Sequence, residues 1–198
     1  DHDLSKPERL SSCGRPTSWL KVALLDNDNQ PVAQGEKGEI CVRGPINMVG
    51  YLGLPDQTAE TLDGDWLHTG DVGRLDEDGF LYIVDRTKDM IVTGGFNVFP
   101  REIEDVISAN SSVAQVAVIG VPSEQWGEEV KAVVVLRPGI ESSEALSHEI
   151  MAEVKAAKGS VHTPKSIDYV EAIPLTAVGK PDKKVVRAKY WEGHSRAV

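Results

Sequence analysis

Two hydrophobic rhythms divide this chain. Up to about residue 87 the apolar stretches are short, roughly period two, and separated by turn residues. Beyond it they are longer, rich in Val and Ile, and interleaved with helical stripes. In the first part, residues 19–25 predict a strand that runs into the turn cluster Asp26-Asn-Asp-Asn29, and residues 38–43 predict a second that stops at Gly44-Pro45. Residues 55–65 predict a short helical turn followed by the acidic loop Asp63-Gly-Asp65. Strands at 71–75 and 80–84 flank Asp76-Glu-Asp-Gly79, which has the composition of a hairpin turn. Strands this short and regular predict a small β-barrel.

In the second part, strands at 89–93 and 96–98 bracket the tight turn Gly94-Gly95. Pro100 stands at a helix start, with Glu102, Glu104 and Asp105 in the first turns, where the helix dipole favours anions. That helix runs to about residue 109. Residues 113–121 and 130–136 predict β-branched strands, and 143–157 a helix with Leu146, Ile150 and Val154 on one stripe. A strand at 166–170, a loop at 174–179 and a basic helix at 183–191 complete the chain. The fold class expected is α+β: a small β-barrel subdomain over 1–87, then an α+β domain over 88–198 with helices packed on a small sheet. The boundary is expected near residues 85–89.

The net charge of −10, from 21 Lys and Arg against 31 Asp and Glu, argues against a nucleic-acid partner, which requires a basic face to displace counterions from phosphates. Most of the excess lies in the first 87 residues. The segment 180–189, by contrast, carries five basic residues against one Asp and leaves room for a local phosphate contact. Cys13 and Cys41 have neither CxxC spacing nor a Cys/His metal spacing, so buried thiols are expected rather than a disulfide. No apolar run approaches the roughly 20 residues of a membrane span. Asp1-His2-Asp3 does not look like a signal peptide, so a soluble, cytoplasmic chain is expected.

General catalytic signatures are missing. Gly179-Lys180 lacks the earlier glycine and the following hydroxyl of a P-loop, and His148-Glu149 is followed by Ala152 where a second zinc-binding histidine would stand. Neither Gly-x-Ser-x-Gly nor Gly-x-Gly-x-x-Gly occurs. No metal site is expected.

Five blocks, in order, resemble one family. They are Gly38-Glu-Ile-Cys-Val-Arg-Gly-Pro45 with Gly50-Tyr51; Trp66-Leu-His-Thr-Gly-Asp71; Asp85-Arg-Thr-Lys-Asp-Met-Ile-Val-Thr-Gly-Gly95 with Asn97, Val98, Pro100 and Glu102-Ile-Glu104; Gln125-Trp-Gly-Glu128; and Pro174-Leu-Thr-Ala-Val-Gly-Lys180. Together they are similar to the adenylate-forming superfamily of acyl- and aryl-CoA ligases, luciferases and peptide-synthetase adenylation domains. The family's phosphate loop and acyl pocket lie upstream of the matched blocks. The resemblance therefore implies the C-terminal portion of a longer enzyme: residues 1–87 as the terminal barrel of the large AMP-binding domain, and 88–198 as the complete small, mobile lid domain.

Within that resemblance each residue has a role. Asp71 matches the ribose ligand, a carboxylate able to accept from both vicinal hydroxyls, and Arg86 matches a second nucleotide contact. Lys88 occupies the hinge. Gly94 and Gly95 fall where the CoA pantetheine passes, a place at which a Cβ would obstruct it, and Trp126 stands where some ligases put an aromatic against the coenzyme. Lys180 matches the catalytic lysine, whose ammonium would orient the carboxylate and the α-phosphate and offset the charge building between them. The Pro181-Asp182 that follows departs from the family's pattern, which more often has apolar and basic residues there. Lys183, Lys184, Arg187 and Lys189 read either as a solvated helix face or as contacts to CoA phosphates.

The implied activity is ATP-dependent ligation of a fatty or related carboxylic acid to coenzyme A, with Mg2+ accompanying the ATP phosphates. The isolated chain is expected to be inactive without the N-terminal domain. Two alternatives stand beside this: a non-catalytic nucleotide- or CoA-binding module, and an adenylating enzyme with a different acceptor, carrier-protein-loading or luciferase-like.

Overall fold

β1 (Lys21–Leu25) and β2 (Lys37–Arg43) pair antiparallel, and β2 pairs in turn with β4 (Trp66–Leu75). The other edge of β4 is shared: β3 (Leu62–Asp63), which follows the short helix α1 (Pro55–Thr61), takes its first residues, and β5 (Leu81–Arg86) takes its last. Residues 6–194 are described in this computed structural model; Asp1-His2-Asp3 lies outside them. Alternate positions of β1, β2, β4 and β5 point inward, and Leu24, Ile40, Cys41, Val72, Tyr82 and Val84 are buried. Irregularities at Glu39/Cys41 and Val72/Gly73 interrupt the β4 ladders. Bulges of this kind increase local twist and curl the sheet.

The expected hairpin at 76–79 forms because Asp76 accepts at Oδ1 from the backbone N–H groups of Asp78 (3.0 Å) and Phe80 (2.8 Å). β4, however, starts at Trp66, five residues before the strand expected at 71. His68, Thr69, Gly70 and Asp71 break the period-two signal, and the segment is extended because β2 and β3 supply its ladder partners.

The chain divides into two units, Asp1–Lys88 and Asp89–Val198. In the second, β6 (Ile91–Thr93), β7 (Phe96–Val98), β8 (Val113–Ser123), β9 (Gly127–Leu136) and β10 (Ser166–Tyr169) form one sheet, antiparallel except for β10 beside β9. Side-chain alternation divides its two faces. Val116, Val118, Ala132 and Val134 join Ile103 and Ile107 of α2 (Pro100–Ser108) and Ile150 and Val154 of α3 (Glu144–Lys158) in one core. Ala117, Ile119 and Val133 point the other way, into a smaller core with Ile173 and Val186 of α4 (Lys183–Ala188). Burial on both faces explains why these strands read as nearly continuous apolar runs.

The β8–β9 hairpin is longer than the expected 113–121 and 130–136, because its far end carries Pro122, Glu128 and Glu129 rather than an apolar pattern. Glu128 is nevertheless buried, and its Oε2 accepts from the Val92 N–H at 2.9 Å, tying β6 to β9. The basic terminal helix stops at Ala188 instead of 191. The residues beyond it act as anchors: Tyr190 donates to Asp168, which also pairs with Lys131 at 2.8 Å, and Trp191 Nε1 donates to the Gly120 carbonyl at 3.0 Å. Burial and the Asp168 carboxylate push the Tyr190 phenol well above its usual range, so it stays a donor.

Both cysteines are free, as expected, but only Cys41 is buried; Cys13 is exposed, which corrects the expectation of two buried thiols. Burial, and secondarily the Glu39 charge, push the Cys41 thiol up to about 12. Native chain treated with a thiol reagent at neutral pH should therefore lose one thiol quickly, Cys13, and the second only on unfolding. Two fast thiols would contradict the burial of Cys41.

Candidate active-site elements

Asp71 sits at the main irregularity of β4. Glu39 pairs with Val72 and Cys41 with His68, so Ile40 alone faces Thr69, Gly70 and Asp71. The bulge turns at Gly70, whose φ of +71° lies in the left-handed region that glycine enters without strain. Asp71 is partly buried, and its Oδ1 lies 2.6 Å from Arg86 Nε across the β4–β5 pair, with the Arg86 side chain 57 % exposed. The two residues matched to the nucleotide are thus neighbours on one sheet surface, a bidentate acceptor beside a cation. Lys88 follows them, exposed, in a 3-10 turn (Thr87–Asp89), and is the last residue of the first unit.

Gly94, Gly95 and Trp126 come together at one end of the second sheet. The β6–β7 turn has φ of +56° at Gly94 and +82° at Gly95, the paired positive values of a tight hairpin turn. The three-residue turn 124–126 closes the β8–β9 hairpin beside it, Thr93 pairs with Gly127, and the Gly94 N–H donates to the Trp126 carbonyl at 3.0 Å. A Cβ on Gly94 would lie 2.8 Å from Trp126 Cε3, whereas one on Gly95 would meet nothing within 4 Å. The two glycines therefore differ. Gly94 is small to seat the indole, and nothing packed around Gly95 demands a small residue. Trp126 remains 47 % exposed, with one edge of its ring over Gly94.

Lys180 projects from a hairpin at 174–182. The Thr176 N–H donates to the Lys180 carbonyl at 2.7 Å, the Lys180 N–H to Thr176 Oγ1 at 3.2 Å, and the Asp182 N–H to the Pro174 carbonyl at 2.8 Å. Between these bonds Leu175 bridges Pro181, a position at which proline's missing N–H costs nothing. Asp182 caps α4, accepting from the Val185 N–H at 3.1 Å. The Pro181-Asp182 that departs from the family's pattern thus closes the hairpin and starts the helix. Val186 is buried, and Lys183 pairs with Glu104 at 2.9 Å, so the hairpin's C-terminal arm is anchored while Lys180 itself stays exposed.

Sequence spacing missed one grouping. Glu39, Cys41 and His68 lie with their ligand atoms within 4.8 Å of one another, brought together by the β2–β4 register rather than by any local motif.

Comparison with known proteins identifies the family. The family model for the AMP-binding enzyme C-terminal domain matches residues 102–180, and that for the AMP-binding enzyme matches residues 2–52. The chain belongs to the AMP-binding, adenylate-forming family. Over its whole length it is 59 % identical to the medium/long-chain-fatty-acid–CoA ligase FadD8 of Mycobacterium tuberculosis, of which it covers 35 %. Among solved structures, the amide bond synthetase McbA from Marinactinospora thermotolerans matches 95 % of this chain and 37 % of its own, with 38 % identity and a TM-score of 0.82. ATP-bound MatB from Rhodopseudomonas palustris matches 93 % and 37 %, with 33 % identity and a TM-score of 0.82. The chain spans about a third of the length of the curated relatives it matches. No helix of the described residues is long and apolar enough to cross a membrane.

Proposed function

We propose that this chain is the C-terminal portion of an AMP-forming acyl-CoA ligase acting on fatty acids in the cytoplasm, with residues 1–87 ending its AMP-binding domain and 88–198 forming its mobile lid. The identity to FadD8 along the whole chain carries the reading. The carboxylate of the acid attacks the α-phosphorus of ATP and pyrophosphate leaves. The CoA thiolate then attacks the acyl carbonyl of the acyl-AMP and AMP leaves. Asp71 and Arg86 hold the ribose. Lys180 bridges the attacking carboxylate and the α-phosphate in the first step, and after a rotation about Lys88 the Gly94–Gly95 and Trp126 surface receives the pantetheine.

Mg2+ takes hard oxygen ligands, usually one or two carboxylates together with the phosphates of the nucleotide. Among the described residues the one group of three ligating side chains within reach, Glu39, Cys41 and His68, mixes sulfur, nitrogen and oxygen and is not such a set. No step is assigned to the ion on this chain.

Carboxylate-dependent ATP–pyrophosphate exchange tests the reading. The complete enzyme should exchange with medium- and long-chain acids and form their CoA thioesters, and this chain alone should do neither. A complete enzyme that exchanges with no fatty acid would overturn it. A second reading keeps adenylation and changes the acceptor, supported by the likeness to an amide bond synthetase; exchange without thioester formation would select it.

Gly95→Leu separates the two steps. Thioester formation should fall at least about tenfold, as misplaced reactants do, while exchange stays within about twofold. Gly139→Leu carries similar backbone strain in an open turn (φ +86°) and is the control.

A further inference from the structure

The bulge that carries Asp71 is held by a side chain from the neighbouring strand. Opening β4 away from β2 takes three backbone positions, Thr69, Gly70 and Asp71, out of regular pairing opposite Ile40. Their polar groups are met individually. The Thr69 hydroxyl donates to the Ile40 carbonyl at 2.7 Å and accepts from the Asp71 N–H at 3.1 Å. Gly70 N–H donates to Glu39 Oε1 at 2.9 Å. The other carboxylate oxygen, Glu39 Oε2, is 2.8 Å from His68 Nδ1, so the imidazole fixes the rotamer in which Oε1 faces Gly70. Both side chains are largely covered, 23 % and 15 % exposed, which strengthens these bonds relative to the same pair in water.

We infer that Glu39, oriented by His68, is a positioning residue for Asp71: it sets the Gly70 bulge and thereby the direction in which the Asp71 carboxylate faces the nucleotide sugar. The inference rests on the reading of Asp71 as the ribose acceptor. Glu39 and His68 act through the backbone of the next residues rather than by touching substrate. Cys41, 3.4 Å from His68 Nδ1, completes the pocket as a neutral thiol.

A double-mutant cycle in the complete enzyme tests this, read as the KM for ATP, kcat and the KM for CoA. Asp71→Ala should raise the KM for ATP. Glu39→Ala should raise it by roughly tenfold, the equivalent of about 1.4 kcal/mol, with the KM for CoA unchanged. Glu39→Gln should restore most of the loss, since its carbonyl still accepts from Gly70. In the Asp71→Ala background, Glu39→Ala should add nothing, because its route to the nucleotide is gone. Should Glu39→Ala not fold, Glu39→Asp, one methylene too short to span Gly70 and His68, takes its place in the cycle.

Additive effects of the two changes, or a Glu39 variant that lowers only stability and kcat, would overturn the inference while Asp71 keeps its role. An Asp71→Ala enzyme with an unchanged KM for ATP would overturn the ribose reading itself and the inference with it.

Discussion

Lys180→Ala in the complete enzyme is expected to slow adenylation by about 10²–10³-fold, the usual cost of removing one preorganised charge from a developing transition state. Lys180 is exposed on a hairpin closed by backbone bonds that do not involve its ammonium. The variant should therefore fold normally, as surface substitutions away from special features change stability by only about 0.5 kcal/mol. The hairpin would still present position 180, now without its charge. Acid-dependent pyrophosphate exchange measures the first step, and thioester formation from supplied acyl-AMP measures the second. The loss should appear in the first and leave the second within about threefold, since only the first develops charge at the phosphorus. Lys180→Arg should fall between, keeping the charge but not the compact point-charge geometry. Equal losses in both steps would show that residue 180 serves the lid as a whole and not adenylation.

Ile103→Ala should cost about 2–5 kcal/mol of stability in the second unit, the range for truncating a buried aliphatic side chain. Ile103 is fully buried and belongs to the core shared by α2, α3 and the sheet. Removing its methyl groups leaves a cavity between two layers that cannot close without shifting α2, whose Pro100 and Ile107 are also buried. Urea unfolding followed by far-ultraviolet circular dichroism reads the change. Val185→Ala on α4 is the control: Val185 is 53 % exposed, and its truncation should stay near 0.5 kcal/mol. A loss below about 1 kcal/mol for Ile103→Ala would mean that the core tolerates the void by collapse, and that its packing is looser than the structure indicates.

The distribution of these residues explains what could be read early. β8, β9 and the Leu146–Ile150–Val154 stripe of α3 were legible because each is buried by its own repeating apolar pattern. The Gly94-Gly95 turn was legible because two successive positive φ values admit few other residues. Ser143, read from the sequence as the first residue of that helix, is instead its cap and accepts from the Leu146 N–H. Where partners are distant, the pattern was silent. The first half of β4 is polar and glycine-containing, and it is a strand only because β2 and β3 lie beside it.

The same division holds for the site. Asp71, Arg86, Gly94, Gly95, Trp126 and Lys180 could each be named as candidates, because the blocks that hold them resemble those of the family. Their pairings could not. That Arg86 lies on Asp71, that the indole of Trp126 rests against Gly94, and that Pro181-Asp182 closes the Lys180 hairpin are consequences of strand register and turn geometry. Sequence alone determined the elements built from local periodicity, the family, and the chemistry each candidate side chain can supply. Tertiary structure alone decided the β4 bulge at Gly70 and the Glu39 carboxylate that accepts from the Gly70 N–H, 31 positions away. Contacts across a sheet are set by which strands become neighbours, and no short window of sequence encodes that choice.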